Sequence, residues 1–124
     1  MTNKNSPLFI NFDEYYKPHT EVIKMIRRAG GLAFLAHPAE YRVNMATILE
    51  IMKDCVDGIE CFHPSATIAQ RDYLVKFAQD HGLLISGGSD FHGTPKPTID
   101  LGTGEGDLVI PSELLAWVNC IKKL

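Results

Sequence analysis

Apolar residues recur along this chain in two distinct patterns. Three short stretches, 31–37 (GLAFLAH), 57–63 (DGIECFH) and 82–90 (GLLISGGSD), are apolar and bounded by glycine. Runs of that length without alternation predict strands buried on both faces, as in a parallel sheet. Gly31, Gly58 and Gly82 head the three runs at similar spacings. The intervening segments have helical spacing instead. In 45–55, Met45, Ile48, Leu49 and Met52 share one helix face, and in 66–81 Ile68, Tyr73, Leu74, Phe77 and Ala78 do the same. Gly82 suits the position just past that second helix. Upstream, 19–29 reads as a helix with Thr20 as its N-cap and Gly30-Gly31 as its stop. Downstream, Ser112 reads as the N-cap of a last helix, with Lys122 and Lys123 near its negative end.

The resulting order, α-β-α-β-α-β-loop-α, predicts an α/β fold with right-handed βα crossovers and a parallel sheet or barrel. Residues 94–109 form a loop rich in glycine and proline. The first 18 residues are loosely patterned and read as an arm before a single unit spanning 19–124. Within that arm, PLFINF reads as a stray strand or an extended segment.

Composition narrows the class. The chain has 124 residues, 45% hydrophobic and 22% charged, with a formal net charge of −3. No basic block is present, which argues against non-specific nucleic-acid binding. Cys55, Cys61 and Cys120 form no C-x-x-C pair and read as reduced, buried thiols. No secretory leader and no apolar run long enough to span a membrane is found, so the chain reads as cytoplasmic.

The chemistry gathers at the ends of the apolar runs. His37 ends the first, His63 the second, and Asp90 with His92 follows the third. In parallel sheets and barrels, ligands collect at the carboxyl edge of the strands. Proline follows both His37 and His63 and pushes each toward extended geometry at the rim. Asp90 and His92, two apart on an extended chain, point the same way and offer a carboxylate and an imidazole to a divalent metal. A lone strand-end histidine has a simpler explanation, a bond to a carbonyl. Three successive ends carrying such groups form a stronger pattern. Arg42 is a candidate phosphate clamp or a surface residue, and Lys96 is similar. Glu60 lies three residues before His63, and strand alternation places the two on opposite faces. Glu40 and Asp57 read as surface charges, His19 as solvated, His81 as a partner of a helix C-terminus, and Trp117 as core.

With these residues in view, GGLAFLAHP, DGIECFHPS, HGLLISGGSDFHG and IDLGTGEGDLVIPSELLAWV resemble the polymerase and histidinol phosphatase (PHP) family in its stand-alone phosphoesterase branch. The resemblance covers residues 19 to 120 and implies part of a distorted (β/α)7 barrel with divalent metals (Mn, Zn or Fe) at the strand ends. It implies Asp90, His92 and His37 as metal ligands, His63 and His37 as catalytic residues and Arg42 as a contact to substrate phosphate. The implied reaction is hydrolysis of a phosphomonoester or phosphodiester, with a phosphorylated small molecule or nucleotide as substrate.

Family members open with an H-x-H strand, and no H-x-H occurs here. Three strands do not close a seven-stranded barrel. The chain is thus expected to supply the C-terminal part of the active site. A second copy, or the N-terminal half of the same domain, would complete it. Two alternatives are a non-catalytic metal-binding or self-associating remnant, and a nuclease or polymerase-associated module.

Overall fold

The computed structural model describes residues 15–102, 108–115, 117 and 118. Helices α1 (His19–Arg28), α2 (Met45–Met52) and α3 (Ile68–Asp80) alternate with strands β1 (Phe34–Leu35), β2 (Gly58–Phe62) and β3 (Leu84–Gly87). Short 3-10 segments cover Pro38–Glu40 and Ser112–Leu115. The strands form one sheet in the order β1-β2-β3, every pairing parallel. The expected alternation of helix and parallel strand is therefore present. The strands are shorter than the apolar runs because residues at each end are used in turns. Gly31 N–H, for example, closes α1 by donating to Ile26 O at 3.0 Å.

The core lies between the sheet and its helices. Leu49, Ile59, Cys61 and Leu74 are wholly buried there, with Ile23, Leu35, Phe77 and Ile85 around them. Each such large side chain stabilises the fold by about 1.5–3 kcal/mol through removal from water. Trp117 is half-buried rather than fully core: its ring lies 4.9 Å from that of Phe34, and its Nε1–H donates to Ile85 O at 2.8 Å.

Helix ends differ from the expectation in instructive ways. Thr20 lies inside α1, and Pro18 is the N-cap, its carbonyl accepting from Glu21 and Val22. Proline's restricted φ sets the entry there without a side-chain cap. α2 starts from Asn44, whose Oδ1 accepts from the Ala46 and Thr47 amides, and it stops at Met52 rather than 55. Thr67 and Gln70 form a reciprocal capping box at the start of α3. Gly82 takes a φ of +66° just past α3, the conformation expected of it. Ser112 opens a 3-10 segment, while Lys122 and Lys123 lie outside the described residues, as do PLFINF and the rest of 1–14.

Asp57 is no mere surface charge. Its backbone N–H donates to Ala33 O at 2.8 Å and its carbonyl accepts from Leu84 N–H at 3.0 Å. Its carboxylate accepts from Ala33 N–H at 2.8 Å and from Arg27 Nη2 at 2.9 Å. One residue thereby aligns the start of all three strands and ties α1 to them. Burial pushes its carboxyl up, but the Arg27 and Ala33 hydrogen bonds outweigh this and hold it below its ordinary value. Asp57→Ala is expected to lower stability by about 2 kcal/mol, discounted because Arg27 is half exposed. Because the folded pKa is depressed, this contribution is present above the ordinary carboxylate range. It is lost as pH falls through the folded value, below about pH 4. Urea denaturation of both proteins across that range checks it.

Candidate active site

The carboxyl ends of the three parallel strands deliver the sequence-predicted residues to one rim. The rings of His37, after β1, and His63, after β2, lie 5.3 Å apart. His63 and Asp90 line one open pocket of about 490 Å³, together with Glu40, Ser65, Lys96 and Ile99.

His37 takes a left-handed backbone conformation, φ 29° and ψ 59°, at the point where Pro38 starts the 3-10 segment. That turn brings Glu40 back toward the rim. Glu40 Oε2 lies 3.5 Å from His37 Nδ1, and Oε1 lies 3.8 Å from His63 Nδ1. Glu40 therefore belongs to the pocket, contrary to its reading as a surface charge. His37 Nδ1 is covered and makes no hydrogen bond, although 43% of the side chain is exposed.

His63 is 5% exposed. Its Nδ1 lies 2.7 Å from Ser65 Oγ and accepts from Ser65 N–H at 3.2 Å. An imidazole nitrogen that accepts an amide proton is unprotonated, so in the neutral ring the proton resides on Nε2. Ser65 thus selects the tautomer. It was missed in the sequence, where the only signal was its place two residues past a strand-end histidine.

Glu60 overturns the alternation argument. Glu60 pairs with Ser86 and Phe62 with Gly87, so two steps on β2 match one on β3. This irregularity at Cys61, of the β-bulge kind, shifts the parity of side chains by one. Both flanking groups then reach His37. Glu60 Oε2 accepts the His37 amide at 2.7 Å, and the His63 ring faces the His37 ring.

Asp90 and His92 are adjacent, but not through strand alternation. β3 ends at Gly87, and Asp90 has a φ of 56°. His92 Nδ1–H donates to Asp90 O at 2.6 Å, and the same nitrogen lies 3.4 Å from Asp90 Oδ1. Asp90 Oδ2 also accepts from Lys96 Nζ. Turns closed by Lys96 N–H to Gly93 O and Ile99 N–H to Lys96 O, with Ile99 buried, hold that lysine in place. The Lys96 hydrogen bond, opposed by partial burial and aided by the Lys96 charge, holds the Asp90 carboxyl below its ordinary value. Arg42 is exposed on the turn before α2 and does not line the pocket.

His19 is exposed, and His81 Nδ1–H donates to Phe77 O at 2.9 Å, so both stand apart from this chemistry. Burial, with the Glu60 charge adding, pushes the Cys61 thiol up to about 12. Cys61 is thus no nucleophile at neutral pH. Among the described residues, no three His, Cys, Asp or Glu side chains meet as a metal-holding group.

No family model matches the chain. Curated proteins similar to it include the following three. A phosphoribosyl 1,2-cyclic phosphate 1,2-diphosphodiesterase of Eggerthella lenta is 34% identical over 79 residues, covering 63% of this chain and 29% of that protein. A 5'-3' exoribonuclease of Haemophilus influenzae is 36% identical over 95 residues, covering 72% and 34%. A 3',5'-nucleoside bisphosphate phosphatase of Chromobacterium violaceum is 32% identical over 89 residues, covering 68% and 31%. Among solved structures, one described as a metal-dependent phosphoesterase of Bifidobacterium adolescentis aligns with a TM-score of 0.63 and 28% identity. That alignment covers 96% of this chain and 41% of the other. The chain spans about a third of the length of the curated relatives it matches. The resemblance to PHP-type phosphoesterases read from the sequence is borne out over part of the chain. No described helix is long and apolar enough to cross a membrane.

Two outcomes check the geometry. Nitrogen-15 NMR of the wild type is expected to show His63 with an unprotonated Nδ1 and a protonated Nε2. Ser65→Ala, which removes the Oγ contact but keeps the backbone N–H donor, is expected to leave that tautomer in place. Lys96→Met is expected to raise the Asp90 carboxyl toward its ordinary value, read by carbon-13 titration of the side chain.

Proposed function

We propose that this chain supplies part of the active site of a metal-dependent phosphoesterase that hydrolyses a phosphomonoester or phosphodiester. One observation carries the reading: His37, His63 and Asp90 with His92 follow three successive parallel strands at their carboxyl edge. A pocket containing His63, Asp90 and the cation Lys96 opens at that edge. The names of the relatives, a diphosphodiesterase and a bisphosphate phosphatase, support the same chemistry.

The donor types suit a divalent ion such as Mn, Zn or Fe. They comprise the Asp90 carboxylate, the His92 imidazole and the covered, unbonded Nδ1 of His37. Among the described residues these three groups do not converge on one point as a metal-holding set. Asp90 and His92 would therefore hold such an ion together with donors from elsewhere, while His37 does not converge with them. When bound, it supplies charge neutralisation for phosphoryl oxygens and acidifies a water.

The chain's own groups divide the remaining work. His63, whose Nδ1 accepts the Ser65 amide, presents its Nε2–H to a phosphoryl oxygen. Leaving-group protonation then falls to His37, beside Glu40. Lys96, which lines the pocket, brings positive charge to the phosphate, while Arg42 on its exposed turn lies outside it. The rest of the site, and of a (β/α)7 barrel, comes from a further segment or a second copy. The exoribonuclease relative favours one other reading, in which the phosphodiester belongs to a nucleic acid. The lack of a basic block does not decide against that substrate.

The test is metal stoichiometry by elemental mass spectrometry, with oligomeric state and hydrolysis of bis(p-nitrophenyl) phosphate and a 3',5'-bisphosphate on the same sample. Metal-dependent turnover is expected. Asp90→Ala combined with His92→Ala is expected to lose bound metal and turnover while melting as a folded protein. Lys96→Ala is expected to weaken phosphate binding, whereas Arg42→Ala is expected to leave it unchanged. Unchanged metal content in the double variant removes the ligand assignment.

A further inference from the structure

Neither the sequence pattern nor the reaction chemistry accounts for a carboxylate inside the central strand. Glu60 lies on β2, and its Oε2 accepts the His37 amide at 2.7 Å. Its other oxygen, Oε1, lies 3.0 Å from the position that a Cβ would occupy on Gly88. The carboxylate therefore reaches from the end of β1 to the segment just past β3. It crosses the whole carboxyl edge of the sheet. Gly88 is itself fixed there, its N–H donating to Phe62 O at 2.9 Å.

The amide that Glu60 holds belongs to a strained residue. Left-handed backbone is uncommon for a non-glycine residue and costs of order 1 kcal/mol or more. Pro38 adds to the constraint by disfavouring the right-handed helical region for His37. A hydrogen bond from an amide to a carboxylate is charge-assisted and strong enough to offset this strain. The left-handed turn in turn starts the 3-10 segment, with Glu40 N–H donating to His37 O at 3.0 Å. It is this turn that places Glu40 beside both imidazoles.

We propose that Glu60 is the positioning residue of the site. Lodged in a slot left open by Gly88, it fixes the His37 turn and through it the His37–His63–Glu40 arrangement. The proposal rests on the reading of His37 as a site residue. It also gives the second glycine of SGGSD a reason, because a Cβ there would crowd the carboxylate at 3.0 Å.

The experiment is amide hydrogen exchange by NMR on the full chain, with nuclear Overhauser contacts between the His37 and His63 rings. Glu60→Ala is expected to speed His37 amide exchange roughly tenfold or more and to remove the ring contact. Protection at Ile59 and Ile85 should stay unchanged. Glu60→Gln, which keeps an acceptor, is expected to retain much of the protection. Gly88→Ala, whose Cβ would press Glu60 Oε1 aside by only a few tenths of an ångström, is expected to speed His37 exchange less than Glu60→Ala does. Equal His37 exchange in wild type and Glu60→Ala overturns the proposal. If Glu60→Ala unfolds the sheet, Glu60→Asp decides: its shortened side chain withdraws the carboxylate from the His37 amide, and unchanged His37 protection there also overturns the proposal. Hydrolysis assays on the same samples separate the two readings. The expected exchange pattern without wild-type turnover leaves the positioning role standing and removes only the phosphoesterase reading.

Discussion

Asp57 joins three segments at once, and the alignment of the sheet depends on it. Its backbone sets the start of β2 against those of β1 and β3, and its carboxylate binds the amide ahead of β1 and the guanidinium of α1. Parallel strands lack hairpin turns to set their register. Here one residue at the strand entrance does so. With the entrances aligned, short strands of two, five and four residues bring their exits to one edge. The rim chemistry is a consequence of that alignment at the opposite end of the sheet.

At the exit, the demands of the core and of the site conflict, and Cys61 is where they are reconciled. Cys61 is buried among the core side chains. Regular alternation would have sent Glu60 and His63 to opposite faces. The extra residue keeps Cys61 inside while turning both neighbours toward His37. A local defect in the ladder thus assembles a charged and aromatic cluster without putting a charge into the apolar interior.

The architecture was largely legible in the sequence, because continuous apolar runs and helical periodicity are direct consequences of burial. The strand-end histidines and Asp90 were legible for the same reason: each stands where an apolar run stops. Residues whose roles depend on backbone events were not. Glu40 reaches the pocket only because His37 is left-handed, and Glu60 and His63 both meet His37 only because of the irregularity at Cys61. Asp90 and His92 meet through a turn, where alternation had suggested an extended pair. Ser65 and Asp57 act through hydrogen bonds that hydropathy does not register.

The left-handed His37 also sets fold and chemistry against each other. Glycine adopts that conformation without strain, so replacing the histidine would relax the turn by about 1 kcal/mol or more while deleting the imidazole. Neutral drift toward a more stable chain would then erode the rim at this position first. A selection scheme that rewards thermal robustness alone would favour that exchange. A histidine retained there through such a selection would report that its ring serves an end that stability does not reward.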